Sequence, residues 1–453
     1  LGKDGKEEEM SKYLVVGNGA REHAVAWTLS RNSEVHIMPG NPAMVLSGIC
    51  VKGNQLDFDA IAKYALENGI HSIVPGPELP IVKGISDALT PKGLFVFGPS
   101  AKAAQLEGSK AFAKDFMKRN GIPCAQSASF SSANEALQFI KTYSFPLVIK
   151  VDGLAAGKGV MIVESMYEAE NALHAIFDEN KFGDSGKTVV IEEFLVGKEL
   201  TVMAITDGNT IKPLLPSRDH KRLEDGDKGP MTGGMGAFCP VPDAGSDALN
   251  LIKTEIIEKT LAGIQKEGLE YKGAIYCGLM LTASGPKVLE YNCRFGDPEA
   301  QVVLPMLQTP LAEIIEAVKE QRLDKLPLVF RRGFSACVVL ASPGYPNNPV
   351  LGKQIYGLEK AQTFQNGAVF AAGVTEENGK LLTSGGRVFS CMGMGQTIRQ
   401  ALGRAYSLSS LVDFEGKQMR GDIGGRYGRG KTSIGNLRLK IRFGSLRRSN
   451  KGS

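Results

Sequence analysis

Lys12-Tyr13-Leu14-Val15-Val16-Gly17 is a short apolar run that ends on glycine. Asn18-Gly19-Ala20-Arg21-Glu22 then turns the chain into a segment with apolar side chains at helical spacing, at Ala24, Val25, Trp27 and Leu29. Strand-like runs recur at residues 35–38, 72–74 and 94–97, each closing on Gly or Pro, with helical material such as 58–68 between them. Strand and helix alternating at this spacing predict a doubly wound parallel sheet with helices on both faces. Ligands of such sheets bind beyond the carboxyl ends of the strands. The turn through Gly17, Asn18 and Gly19 therefore shares a rim with Gly76-Pro77-Glu78. That first turn starts like a dinucleotide fingerprint and fails at the third glycine, where Glu22 stands. It is a weak signal for NAD and leaves room for a small phosphate-bearing ligand at the helix start.

Beyond residue 108 the pattern changes. A helix over 110–120 stops at Gly121 with Pro123 just past it, a well-marked helix end. An apolar strand at 146–150, a glycine-rich loop, a strand at 160–164, a helix across 166–178 and a strand at 188–192 follow. Strand-like runs at 199–206 and 273–292 flank a long polar loop, 216–240, and a helix at 251–266. This order predicts an α+β unit with antiparallel sheets. From about residue 330 the chain reads as mostly β, with short runs at 335–341, 368–373 and 386–390 divided by Pro, Gly and Asn.

The chain has 453 residues, of which 43% are hydrophobic and 22% charged, so two to four soluble domains are expected. Its formal charge of +5 is uneven. Residues 426–453 hold nine Lys or Arg and no acid, and residues 1–9 carry a net −2, which leaves −2 for 10–425. A slightly acidic body argues against a nucleic-acid surface. The basic tail can bind RNA or an acidic partner, but its composition fits an added extension better. Residues 1–9 and 427–453 are both expected to be non-native, with the native start at Met10. Seven scattered cysteines offer no CxxC pair and no zinc spacing. No apolar run approaches the ~18 residues of a membrane span, and the expected location is cytoplasmic.

Several residues fit phosphate chemistry. Gly153, Gly157 and Gly159 let a loop expose successive N–H groups to phosphate oxygens, and Lys158 adds a mobile charge. Lys150 ends an apolar strand, where an ammonium needs an anion. Lys110 opens a helix, the wrong end for a cation unless a phosphate is near. Glu192, Glu193, Phe194 and Leu195 follow a strand whose end can read an adenine edge, with Glu199 able to hold ribose hydroxyls. Glu290, Asn292 and Arg294 alternate on one strand face. A carboxylate and an amide oxygen suit Mg²⁺, and the arginine suits a carboxylate or a transferring phosphoryl group. The stretches 218–222 and 229–236 read either as a substrate loop near phosphate or as an ordinary mobile loop. His220 within them is a candidate base that a lone histidine does not establish.

GNGAREH (17–23), GPE (76–78), LEGSK (106–110), GLAAGKGV (153–160), DHKR (219–222), TGGMGA (232–237) and EYNCRFGDPE (290–299) occur in that order. With Gly385-Gly386-Arg387-Val388 and the closing 420–424, this set resembles the glycinamide ribonucleotide synthetase family of the ATP-grasp superfamily, over residues 12–426. The resemblance implies a Rossmann-like substrate domain over 10–108 (the pre-ATP-grasp unit). It also implies a two-part ATP-grasp domain over 109–325 with a small lid at 124–193, and a β-rich domain over 326–426. It implies ligation of glycine to 5-phosphoribosylamine with ATP, through a glycyl phosphate, in purine biosynthesis. Glu290 and Asn292 would hold Mg²⁺ or Mn²⁺. Lys110, Lys150 and the loop at Gly153, Gly157, Lys158 and Gly159 would hold the polyphosphate. Glu192, Glu193, Phe194 and Leu195 would meet adenine and Glu199 the ribose. Arg294, Lys150 and Asp297 would be catalytic, with Arg294 and Gly296 at glycine. Gly17, Asn18, Gly19, Gly76, Pro77, Glu78, Asp219, His220 and Lys221 would contact phosphoribosylamine. The implied partners are these small molecules, with no nucleic acid and no membrane, in a monomer or weak dimer. Many ATP-grasp enzymes offer a third, acidic metal ligand about a dozen residues before the Glu-x-Asn pair. Here that strand reads Tyr276-Cys277-Gly278-Leu279-Met280, so two protein ligands are expected. The alternative is another ATP-grasp carboxylate–amine ligase or a carboxylase.

Overall fold

In a computed structural model of the chain, residues 10–154 and 159–427 are described. Gly157, Lys158 and both termini lie outside them. The strand Lys12–Gly17 is the centre of a five-stranded sheet in the order Ile49–Cys50, Glu34–Pro39, Lys12–Gly17, Ser72–Pro75, Phe95–Val96. Every pairing is parallel. Leu14 and Val16 enter one core with Ile61 and Ile73, while Tyr13 and Val15 enter another with Ala24 and Val25. A parallel strand covered on both faces reads as an unbroken apolar run, which is what Lys12–Gly17 shows. The strand order reverses between Lys12–Gly17 and Ser72–Pro75, so a crevice opens at their carboxyl ends. There the Gly76 N–H donates to the Val16 carbonyl at 2.9 Å, which holds the two turns side by side.

Residues 127–193 form a four-stranded antiparallel sheet in the order Ser127–Phe130, Val189–Glu193, Leu147–Val151, Val160–Val163. The helices Ala133–Ile140 and Met166–Phe177 cover one face, with a core of Ile149, Val151, Val163, Leu173 and Ile191. Side chains alternate across a strand, so Val148, Lys150, Val190 and Glu192 belong to the other face. A larger antiparallel sheet follows, in the order Ile211–Pro213, Lys198–Thr206, Tyr271–Thr282, Gly285–Asn292. Tyr271 and Lys272 also pair with Pro99 and Gly98, which ties this sheet to the N-terminal unit.

The last sheet holds two departures from the sequence reading. Its order is Arg218–Asp219, Gly236–Cys239, Phe334–Ala341, Arg387–Gly395, Gly367–Ala371. Two of its five strands come from the stretch expected to be a polar loop. That stretch also forms the hairpin of Arg222–Glu224 with Lys228–Met231. Strands of two to four residues broken by Gly and Pro are too short to display a period of two, so the pattern could not announce them. The second departure is the helix Ile398–Leu411, the longest continuous α-helix among the described residues. It lays Ile398, Ala401, Leu402, Ala405 and Leu408 onto the sheet. The C-terminal unit is therefore a sheet with a helix packed on it. No helix of the described residues is long and apolar enough to cross a membrane.

Candidate active site

The polar face of the small sheet meets the strand Gly285–Asn292. Lys150 stands opposite Val190 and Glu192 opposite Val148, so ammonium and carboxylate are diagonal neighbours on one face. They pair at 3.0 Å, and Lys114 from the helix Lys110–Arg119 reaches the same carboxylate at 2.9 Å. All three are at most 7% exposed. The anion that the buried Lys150 demands is thus Glu192, shared with a second lysine, and the group keeps a net +1. Lys150 also donates to the Leu289 carbonyl at 3.2 Å, a link between the small sheet and the strand bearing Glu290. Lys110 donates to the Gly153 carbonyl at 2.9 Å. At the start of its helix stands a carboxylate. Asp152 accepts from the Ala111 N–H and the Ser109 hydroxyl, each at 3.1 Å.

Glu290, Asn292 and Arg294 do share a face. Arg294 donates to Asn292 Oδ1 at 3.2 Å and pairs with Glu107 at 2.9 Å, while Glu78 lies 3.9 Å from its Nε. Burial opposes the charge on Arg294, but Glu107, Glu78 and Glu299 outweigh it and raise its pKa. Glu290 makes no hydrogen bond or ion pair with any described residue. Burial pushes its carboxyl up, yet Lys221, Lys150, Lys110 and Arg294 outweigh that and hold it below the ordinary value. A half-buried, ionised carboxylate, unpartnered among the described residues and beside an amide oxygen, fits a hard divalent cation whose remaining ligands are phosphates and water. Gly278 stands opposite Glu290 in the neighbouring strand, so no acid faces it from there. Among the described residues no group of three or more His, Cys, Asp or Glu forms a self-sufficient metal cage.

Glu22, read from sequence as a failed glycine, organises the rim. Its carboxylate accepts from the Gly19 N–H at 2.6 Å and pairs with Arg21 at 2.6 Å. A Cβ on Gly76 would fall 1.9 Å from Glu22 Oε1, and one on Gly17, where φ is +131°, only 2.5 Å from its Cγ. The glycines at 17 and 76 are thus needed by a carboxylate of the protein itself. Arg21 continues to the Phe295 carbonyl at 3.4 Å, joining this rim to the 290–299 stretch.

Asp297 is held by Arg387 at 3.0 Å and by Gln301 at 2.7 Å. Arg387 also donates to the Gly233 carbonyl at 2.7 Å, so one guanidinium joins the last sheet, the glycine stretch 232–236 and Asp297. Lys221 pairs with the half-exposed Glu199 at 3.2 Å. Burial pushes the Asp219 carboxyl up to about 7, against Lys221 and with Glu299 and Glu199. Glu299 accepts from the Tyr276 hydroxyl at 3.1 Å. His220 turns the other way. Its Nε2 accepts from the Gly424 N–H at 3.2 Å, and burial followed by Arg420 lowers its pKa to about 4. The imidazole is thus held neutral and tied through Nε2 to the C-terminal segment, while its Nδ1 has no hydrogen-bond partner among the described residues. Glu193 is engaged by Lys287 at 2.8 Å and the Gln126 N–H at 3.0 Å, which leaves only its backbone for a nucleotide. Phe194 is exposed and Leu195 is buried.

Sequence reasoning missed Glu107, Lys114, Tyr276, Glu299 and Arg387. Glu107 and Glu299 lie inside quoted motifs but carry no local sign of their partners. Lys114 sits at an ordinary helical position.

Three family models match consecutive stretches: the phosphoribosylglycinamide synthetase N domain over 11–107, its ATP-grasp (A) domain over 108–300 and its C domain over 335–426. A phosphoribosylamine–glycine ligase of Nostoc sp. is 47% identical over 424 residues, 92% of this chain and 99% of that protein. The human trifunctional purine biosynthetic protein adenosine-3 is 43% identical over 92% of this chain and 42% of its own length. A crystal structure of phosphoribosylamine–glycine ligase from Thermotoga maritima superposes with a TM-score of 0.78 at 39% identity, covering 91% of this chain and all of that one. The biotin carboxylase domain of a Hydrogenobacter thermophilus carboxylase superposes at 0.70 with 17% identity, over 91% of this chain and 92% of that one, which speaks to the fold alone. The chain belongs to the phosphoribosylglycinamide synthetase family, the phosphoribosylamine–glycine ligases of the ATP-grasp type.

Proposed function

We propose that this chain, as a phosphoribosylamine–glycine ligase of de novo purine biosynthesis, works through a glycyl phosphate with Glu290 at the centre of its ATP half. The observation that carries this reading is the Glu290 carboxylate, unpartnered among the described residues and ringed by Lys110, Lys150, Lys221 and Arg294. A glycine carboxylate oxygen forms a bond to the γ-phosphorus of ATP as the β–γ bridging bond breaks and ADP leaves. The amine nitrogen of phosphoribosylamine then attacks the acyl carbon, the bond to phosphate breaks, and the nitrogen gives up a proton. The protein need do little covalent chemistry in either step, only position the reactants and balance charge. Glu290 and Asn292 are the residues that would hold Mg²⁺ or Mn²⁺, which when bound neutralises phosphate oxygens. Lys110, Lys150 and the 153–159 loop hold the polyphosphate, and the strand end at 192–195 with Glu199 holds the nucleoside. Arg294, with Gly296 and Asp297, orients glycine. The turns at 17–19 and 76–78, with Asp219 and Lys221, take phosphoribosylamine. Exclusion of water follows from the chemistry, because water hydrolyses an acyl phosphate. The domain limits 10–108, 109–325 and 326–426, a lid over 124–193, a cytoplasmic location and a monomer or weak dimer belong to the same proposal.

Release of ADP, measured with glycine and freshly generated phosphoribosylamine, tests it. Turnover that requires both substrates is expected. Silence with that pair, alongside turnover with bicarbonate or D-alanine, would overturn it.

A further inference from the structure

At the end of the last sheet farthest from Arg387 lies a cavity of about 540 Å³. Its walls include Arg331, Arg332 and Arg404, its floor Met306 and Phe334, and Gln400 adds an amide. The strand Arg387–Gly395 runs from the Asp297 contact at one end to this cavity at the other, roughly 27 Å at the usual rise of a strand. The cavity is therefore separate from the ATP cradle. No acid lines it, and none of the three arginines pairs with a carboxylate among the described residues. Glu313 lines an adjoining cavity that shares Gln308, outside the arginine ring. Arg31, stacked on Trp27 at 3.9 Å, lies outside the lining but near Arg331. Burial, and after it the charge of Arg331, lowers its pKa to about 10. Arg404 is anchored by a hydrogen bond to the Met394 carbonyl.

We propose that this cavity is a second ligand site, which takes a small phosphate ester of nucleotide size. Planar guanidiniums match phosphate oxygens in bidentate fashion, and the absent acid is the one a ligand phosphate replaces. The buried Met306 and Phe334 offer an apolar floor to a ring, and the volume lies within the range of small-molecule pockets. A nucleic acid is disfavoured, because it needs an extended basic track, and this ring is one concave spot on a body of net −2.

Calorimetry on the full chain with uridine diphosphate as probe, the ATP site being filled by a saturating non-hydrolysable ATP analogue, tests the site. One equivalent is expected to bind. The double variant Arg331→Ala/Arg332→Ala, at two exposed positions, should weaken it at least tenfold, while Arg399→Ala, outside the lining, leaves it unchanged. Both variants should bind the ATP analogue as the wild type does. Absence of probe binding to millimolar concentration, equal affinity in the double variant, competition with the analogue, or binding of single-stranded RNA in place of the probe would each overturn the proposal.

Discussion

Two charge clusters in this molecule are built on opposite plans. Around Glu192 two lysines share one carboxylate, a third lysine stands nearby with only a carbonyl for company, and Glu290 beyond them has no partner among the described residues. Near the C-terminus, Arg420 is 1% exposed and bonded to Asp227 at 2.7 Å, to both oxygens of Asp422 at 2.7 and 2.8 Å, and to the Arg222 carbonyl at 3.1 Å. Asp422 also accepts from the Gly226 N–H at 2.8 Å, and Asp225 from the Gly421 N–H at 2.7 Å. The charges of this clasp are answered by one another or by solvent: the buried Arg420 by its carboxylates, and the exposed Asp225 and Asp227 also by water. Those of the cradle are not, and a buried cluster left out of balance is costly unless a ligand completes it. The clasp holds the hairpin of 222–231 to the segment 420–422. On the proposed function, the cradle is kept incomplete for ATP and its metal.

The largest effect expected from this contrast is at Glu290. Glu290→Ala should lower ligation by about a hundred- to a thousandfold, the range seen when a preorganised electrostatic group is removed, with circular dichroism and thermal midpoint unchanged. Activity near wild type would mean the unpartnered carboxylate has no metal role. Arg420→Ala should do the reverse. Removing the buried guanidinium leaves Asp422 without its partner and is expected to lower the urea midpoint, while turnover per folded molecule stays close to wild type. A loss of kcat in folded Arg420→Ala protein would break the division between clasp and cradle.

Titration sharpens the same comparison. Burial works against the charge on Asp422, but Arg420 overrides it and pulls the carboxyl down to about 2. Burial takes the Asp219 carboxyl up to about 7, far above its ordinary 3.8. The folded state thus binds the Asp219 proton more tightly than the unfolded chain does. Its contribution to stability is complete below the unfolded value and is lost as pH rises through about 7. Urea midpoints of the wild type should therefore fall between pH 4 and pH 7 more steeply than those of Asp219→Asn. Parallel slopes for the two proteins would show that Asp219 titrates as an ordinary surface carboxylate.

How much of this was legible depends on whether a residue's role is local. Lys150 stood out because an ammonium at the end of an apolar strand needs an anion whatever surrounds it, and the Glu290–Asn292–Arg294 face followed from alternation alone. The identity of the anion did not follow, since Glu192 and Lys114 reach Lys150 from another strand and a helix. Arg387 is one residue of a Gly-Gly-Arg turn, and only the tertiary fold brings it to Asp297 and Gly233. The orientation of the His220 ring was not legible because 216–240 was read as loop. With Arg218–Asp219 taken as a strand, its ring would be expected on the side opposite Asp219 and Lys221. Glu22 was counted as a missing glycine, whereas it is the reason Gly17 and Gly76 must be glycine.

The helix Ile398–Leu411 shows a missed element that left a mark in the sequence. Thr397-Ile398-Arg399-Gln400 has the spacing of a capping box, and apolar residues at 398, 401, 402, 405 and 408 follow at helical intervals. Gly403 and serines at 407, 409 and 410 dilute that stripe, and the surrounding short β runs drew the region into a β reading. In the structure Thr397 Oγ1 accepts from the Gln400 N–H at 3.2 Å and Gln400 Oε1 accepts from the Gln396 N–H at 3.0 Å, so the turn into the helix is fixed by its own side chains. Thr397→Ala should cost about 1 kcal/mol, the smallest of these effects, measured as a shift in urea midpoint with turnover unchanged. Thr397→Ser should recover most of it, because the accepting oxygen returns. If alanine and serine behave alike, the helix start is held by packing of Ile398 and Leu402 against the sheet and the cap adds nothing of its own.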